Sequence, residues 1–192
     1  MLFGVQGILG GTFDPPHNAH LAMARAAYVQ LRLDSVCLMP AGDPWQKRES
    51  DVSDASDRWE MTVLLAAQHD WLVADDTEIS RIGPSYTIET VEEFDERPVL
   101  ILGADAALGI PTWHRGYELV NFVDFAVAPR PGITMEDVER AVGSSVIPLD
   151  MDPIELSSTE IRELASAGAD YRHLVPGAVH EFIESNRLYA ST

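Results

Sequence analysis

Six short apolar runs, at residues 5–9, 36–39, 72–74, 99–102, 125–128 and 146–149, recur along the 192-residue chain with amphipathic stretches between them. Several are apolar at every position, as in Val36-Cys37-Leu38-Met39, the pattern of parallel strands covered on both faces. The intervening stretches carry helical spacing. Leu21, Ala24, Tyr28 and Leu31 fall on one face of 19–31, and 56–68, 88–94, 135–142 and 179–183 read likewise. Strand-helix alternation from end to end predicts an open α/β sheet with right-handed crossovers. No repeat, low-complexity tract or linker interrupts it, and the length suits one full core, so the expectation is a single domain over 1–192. The long irregular stretch 40–54, with Gly42, Pro44 and many charges, has the length of a functional lid or a disordered segment.

Charge narrows the partners. A formal net charge of −18 opposes nucleic acid and anionic membrane surfaces, so neither is expected as a partner. Small anionic substrates remain open, provided that local positive potential meets them. The supply is limited: twelve arginines and one lysine, Lys47. No apolar run reaches the roughly 18 residues of a membrane span. The apolar start lacks a basic leader and runs into Gly10-Gly11, so it reads as a first strand rather than a signal peptide. Cys37, the one cysteine, sits in an apolar run and reads as a small buried hydrophobe; a cytoplasmic location is the expectation.

Two constellations carry chemistry. The first, Gly10-Gly11-Thr12-Phe13-Asp14-Pro15-Pro16-His17-Asn18-Ala19-His20, follows the first strand directly. Its glycines allow a tight turn and close approach of backbone N–H groups to a ligand. His17 and His20, three apart at the opening of a helix, share a face near its positive end. Two imidazoles and several N–H donors then surround an anion-sized space. A metal-binding pair or two surface histidines are the competing readings, but zinc needs further ligands and the only cysteine lies in a strand, so no metal site is expected. The second constellation is Ser157-Ser158-Thr159-Glu160-Ile161-Arg162. Ser157 and Glu160 form a capping-box pattern, Gly168 supplies a stop, and Ser158 and Thr159 stand in the first turn beside unpaired N–H groups. Helix starts of this kind bind phosphate, although alone the pattern is only a cap.

Together the two resemble the nucleotidyltransferase superfamily, which carries H-x-G-H after its first strand and I-S-S-T-x-x-R near its last helix. The resemblance covers nearly the whole chain and implies a doubly wound parallel sheet of Rossmann type with helices on both faces. Pro84-Ser85-Tyr86-Thr87, Gly103-Ala104-Asp105 with Trp113, and Arg130-Pro131-Gly132 are similar to segments of the nicotinate mononucleotide adenylyltransferase family within it. Trp113 alone would be read as a core aromatic; its place beyond Gly103-Ala104-Asp105 makes it a ligand platform.

The resemblance implies the following roles. Gly10, Gly11 and Thr12 form the backbone cradle for ATP, and His17 and His20 contact its phosphates. Ser158, Thr159 and Arg162 hold the β- and γ-phosphates. Trp113 stacks on the pyridine ring, Thr87, with Tyr86 beside it, meets the nicotinate carboxylate, Asp105 binds a ribose hydroxyl, and Arg130 meets the mononucleotide phosphate. Lys47 joins His17, His20 and Arg162 as a catalytic cation, although its loop departs from the family's usual form. Ala19 is a second departure, since the family has glycine there. Mg²⁺ is expected to arrive with ATP, with no tightly bound organic cofactor. The implied substrates are ATP and nicotinate mononucleotide; a homo-oligomer is left open. Other acceptors (nicotinamide mononucleotide or phosphopantetheine), a non-catalytic nucleotide-sensing module, and a purely structural protein are the alternatives.

Overall fold

The computed structural model describes residues 5–43 and 52–190. Strands β1 (Gln6–Gly11), β2 (Ser35–Pro40), β3 (Leu72–Ala74), β4 (Val99–Gly103), β5 (Asp124–Ala128) and β6 (Ile147–Pro148) form one sheet in the order β3-β2-β1-β4-β5-β6. The pairs β1–β4, β4–β5 and β5–β6 are parallel, with Gly7 opposite Val99 and Leu102 opposite Val127. The order reverses direction at β1–β4, which is the doubly wound pattern. Each apolar run of the sequence overlaps one of these strands, the run at 146–149 only at Ile147 and Pro148. At the edge, β6 is only two residues, and Pro148 removes a ladder donor there, a common way of blunting an edge.

The helices are α1 (Asn18–Leu31), α2 (Ala55–Ala66), α3 (Thr77–Ser80), α4 (Thr87–Val91), α5 (Ala104–Leu108), α6 (Met135–Val142), α7 (Ser158–Ser166) and α8 (Gly177–Asn186). The helical spacing at 19–31, 56–68, 88–94, 135–142 and 179–183 falls on α1, α2, α4, α6 and α8, though α4 is shorter than its apolar pattern, and α7 begins at the capping box. α3, α5 and the 3₁₀ turns Ile110–Thr112 and Gly116–Asn121 are too short to carry a helical period. Among the described residues no helix is long and apolar enough to cross a membrane.

The chain falls into two compact units. The first comprises Met1–Gly10, Ala22–Cys37 and Tyr86–Ile154. Its core is built from strand residues such as Ile8, Val36, Leu100, Ile101, Phe125 and Val127, each at most 2% exposed, and Cys37 is buried among them as expected. The second comprises Gly11–Leu21, Leu38–Ser85 and Glu155–Thr192. There α2 packs on α8, and Met61, Leu65, Ile161, Val179 and Ile183 supply the core.

Candidate active site

In the second unit the chain leaves β1 through a turn whose backbone is anchored at successive carbonyls. The Gly11 carbonyl accepts from the Ala41 N–H at 2.9 Å, and the Thr12 carbonyl accepts from Arg58 Nη1 at 3.0 Å. The left-handed residue of the turn is Phe13, at φ 51°, and neither glycine has a positive φ. A side chain in that region costs roughly 1–2 kcal/mol. Burial of the Phe13 ring, 1% exposed, offsets it.

His17 then caps α1: its carbonyl accepts from the His20 N–H at 2.9 Å. The two imidazoles stack, with centroids 3.7 Å apart, and the Phe13 ring meets His20 edge-on at 4.9 Å. The His17 backbone N–H donates to His20 Nδ1 at 3.2 Å. A neutral His20 accepting at Nδ1 carries its proton on Nε2, so it presents a donor there.

The start of α7 is docked on this same turn. Ser157 Oγ accepts from the Glu160 N–H at 3.2 Å, the cap that the sequence indicates. Ser158 Oγ donates to the Pro15 carbonyl at 2.9 Å, and Arg162 Nη1 donates to the Asp14 carbonyl at 2.8 Å. Arg162 Nη2 lies 3.4 Å from Thr159 Oγ1. The two sequence constellations, some 140 residues apart, therefore form one assembly. Because the Ser158 hydroxyl proton is used on Pro15, what this residue offers an anion is its N–H in the first turn of α7. Much of the scarce positive charge is committed elsewhere: Arg115 bridges Glu92 and Glu118, Arg140 holds Glu136 and Asp137, and Arg172 holds Asp170. Arg162 is held on the turn itself, by the Asp14 carbonyl and, at 3.9 Å, by the Asp14 carboxylate.

The first unit holds the residues predicted for the mononucleotide. Tyr86 precedes α4 and stacks on His114 with centroids 4.2 Å apart; Thr87 is the first residue of that helix. A Cβ on Gly103, at the end of β4, would lie 2.6 Å from Asp105 Oδ1, so glycine there lets the Asp105 carboxylate fold back over the strand end. Arg130 Nε approaches Asp105 Oδ1 at 3.6 Å, and its Nη1 donates to the Ile154 carbonyl. Trp113 ends the first 3₁₀ turn, half-buried, with its indole nitrogen close to Gly109. Lys47 lies outside the described residues, as does most of the loop around it.

Sequence reasoning passed over a buried group in the second unit. Arg58, 1% exposed, donates through Nε to the Ser53 carbonyl and through Nη1 and Nη2 to the carbonyls of Thr12, Ala41 and Gly42. Asp14, also 1% exposed, accepts from Tyr189 Oη at 2.8 Å and from the Ser53 N–H at 3.1 Å. Burial and the neighbouring Asp14 carboxylate push the Tyr189 phenol above its ordinary range, so it remains a donor. Ser85 fixes the loop after β2 from the other side: its Oγ accepts from the Gly42 N–H at 2.9 Å, and its N–H donates to the Asp43 carbonyl at 3.1 Å.

Residues 8–164 match the family described as cytidylyltransferase-like, and the chain belongs to it. Relatives narrow the class. A protein of Synechococcus sp. (strain JA-3-3Ab), named a probable nicotinate-nucleotide adenylyltransferase, is 40% identical over 195 residues, spanning 95% of this chain and 93% of its own. One of the same name from Corynebacterium kroppenstedtii is 36% identical over 189 residues, spanning 95% and 90%. Among solved structures, Plasmodium falciparum nicotinic acid mononucleotide adenylyltransferase complexed with NaAD superposes with a TM-score of 0.78 over 97% of this chain and 98% of that one. At 17% identity this likeness establishes the shared fold.

Proposed function

We propose that this chain is a nicotinate-nucleotide adenylyltransferase, which joins the 5′-phosphate of nicotinate mononucleotide to the α-phosphorus of ATP and releases pyrophosphate. One observation supports it above the rest: Ser158 and Arg162 dock the start of α7 onto the turn that carries His17 and His20. Helix N–H groups, imidazoles and a guanidinium then serve one anion together.

The chemistry asks little of covalent catalysis. An anionic phosphate oxygen attacks the α-phosphorus, the bond to the bridging oxygen of the β-phosphate breaks, and pyrophosphate leaves with that electron pair. No proton needs to be taken from the nucleophile. Rate enhancement comes from alignment and from donors aimed at oxygens that gain charge. In this reading His20 Nε2–H is such a donor, with His17 stacked behind it. The backbone of Gly10, Gly11 and Thr12 cradles the triphosphate; a Cβ on Gly10 would meet no protein atom within 4 Å, so protein packing does not demand the glycine. Thr159, Arg162 and the Ser158 N–H hold the departing β- and γ-phosphates. Lys47 is assigned to the same charge by its resemblance alone.

Trp113 is assigned to the pyridine ring and Thr87 to the nicotinate carboxylate, with Tyr86 beside it. Asp105 is assigned to a ribose hydroxyl. Arg130, paired with Asp105 and Ile154, serves the mononucleotide phosphate or steadies Asp105. Mg²⁺ enters as part of the ATP substrate: the donors gathered at the turn suit phosphate oxygens, and the Asp14 carboxylate is buried on Tyr189 and Ser53. A cytoplasmic setting goes with this reading.

Incubating the protein with ATP, Mg²⁺ and nicotinate mononucleotide, then separating products, tests the proposal. Nicotinate adenine dinucleotide and pyrophosphate should accumulate in equal amounts over many turnovers. Binding of both substrates without product would favour a nucleotide-sensing module.

A further inference from the structure

We propose that Arg58, braced by Asp14 and Tyr189, is a positioning residue for adenylyl transfer, setting the peptide planes of the phosphate-facing turn without touching substrate. The inference rests on the functional reading above and adds residues that carry no assigned role in it.

A guanidinium has five N–H donors in a rigid planar fork. Arg58 directs its donors to four carbonyls from three separate segments: Thr12 after β1, Ala41 and Gly42 after β2, and Ser53 ahead of α2. Converging carbonyl dipoles repel one another, and a buried cation at their focus turns that repulsion into attraction. An ammonium, with three donors on a tetrahedral nitrogen, cannot reach the same four oxygens. Burial acts to lower the Arg58 pKa from its ordinary value, while Asp14 and Asp54 oppose this. Guanidinium nevertheless stays charged in proteins, so the brace is permanent.

The consequence reaches the turn through peptide geometry. In a trans peptide the C=O and the following N–H point in opposite directions. With the Gly11 carbonyl held by Ala41 and the Thr12 carbonyl held by Arg58, the N–H groups of Thr12 and Phe13 are both turned to the other side. Successive N–H groups around a left-handed residue make an anion-binding concavity, and Phe13 is that residue. Asp14 links this brace to the cation of the site. Its carboxylate takes Tyr189 and Ser53, while its backbone carbonyl takes Arg162. Tyr189, near the end of the chain, thereby supports the turn that follows the first strand.

Arg97, a more exposed arginine, provides a control. It also clamps carbonyls, those of Val120, Asn121 and Val123, and it pairs with Asp124, but it joins a 3₁₀ turn to the start of β5 and holds none of the proposed substrate contacts. The test compares Arg58→Lys, Tyr189→Phe and Arg97→Lys by melting temperature and by kcat and KM for each substrate, assayed well below every melting point. Arg58→Lys should lower kcat about 10- to 100-fold, the scale of an angstrom-level misplacement, and raise the KM for ATP more than that for the mononucleotide. Tyr189→Phe should shift the same parameters in the same direction, severalfold. Arg97→Lys should lower the melting temperature with kcat unchanged. A folded Arg58→Lys with wild-type kcat overturns the proposal, as does an equal kcat loss in Arg97→Lys. If Arg58→Lys does not fold, Tyr189→Phe decides alone, and wild-type kcat in that variant overturns it. Absence of turnover in the wild-type protein would instead remove the functional reading on which the proposal stands.

Discussion

Substitution can separate the two nitrogens of His20. The amide of asparagine overlays the Nδ1 position of an imidazole, and that of glutamine overlays Nε2. His20→Asn therefore keeps an acceptor for the His17 N–H and loses the Nε2 donor, whereas His20→Gln does the reverse. The two losses differ in size. A neutral hydrogen bond such as the 3.2 Å contact at Nδ1 nets about 0.5–1.5 kcal/mol. At about 1.36 kcal/mol per decade, its loss costs roughly two- to thirteenfold. A preorganised donor to a phosphoryl oxygen that gains charge is worth about 2.7–4 kcal/mol, or 10²–10³ in rate. His20→Asn and His20→Ala should thus lose about 10²–10³ in kcat with the KM for ATP changed much less, and His20→Gln only about two- to thirteenfold. Steady-state pyrophosphate release with ATP varied at saturating acceptor measures both. If the asparagine variant outperforms the glutamine variant, the Nδ1 contact matters and the Nε2 donor does not. An effect confined to KM would assign His20 to ground-state binding.

Three further outcomes are expected. Gly42→Ala should destabilise the fold by about 1–3 kcal/mol, because its Cβ would lie 2.3 Å from the Glu78 carbonyl and 3.0 Å from Ile79 Cα, both backbone; a melting temperature within a degree of wild type would contradict this. Trp113→Ala should raise the KM of nicotinate and nicotinamide mononucleotides alike, since stacking ignores the exocyclic group, while Thr87→Ala should narrow the gap between them. A Trp113→Ala variant with a raised KM for ATP alone would move the platform to adenine. Ala19→Gly should lower the KM for ATP severalfold if the methyl crowds the base, and should lower the melting temperature slightly, because alanine is favoured in a helix by roughly 0.5–1 kcal/mol; an unchanged or higher KM means that Ala19 is simply tolerated.

β2 and β4 were legible because parallel strands buried on both faces leave unbroken apolar runs, and the longer helices because two turns suffice for a period. α3 and α5 fall short of that length; α4 is no longer than α5, but the apolar spacing read over 88–94 continues past its last residue. The phosphate motifs were legible as local sequence, but their docking through Ser158 and Arg162 is a tertiary fact. Arg58 left a trace that went unread. With Met61, Thr62 and Leu65 it forms the buried stripe of α2, an arginine at the spacing of the apolar face. A cation in that position announces a buried partner. Nothing comparable marks Tyr189, which depends on where the end of the chain is brought, or His114, whose ring meets Tyr86 from 28 positions away. The left-handed conformation of Phe13, beside two glycines that would adopt it more easily, also has no signal in residue type.

The central claim is that this chain transfers the adenylyl group of ATP to nicotinate mononucleotide in preference to related acceptors. Purified protein, with ATP and Mg²⁺, should be given nicotinate mononucleotide, nicotinamide mononucleotide and phosphopantetheine in turn, and kcat/KM for pyrophosphate release compared. The account predicts turnover with the nicotinate form at a value at least about tenfold above the nicotinamide form, the scale of one charge-assisted hydrogen bond lost, and none with phosphopantetheine. Equal values for the two mononucleotides, or release only with phosphopantetheine, would contradict it.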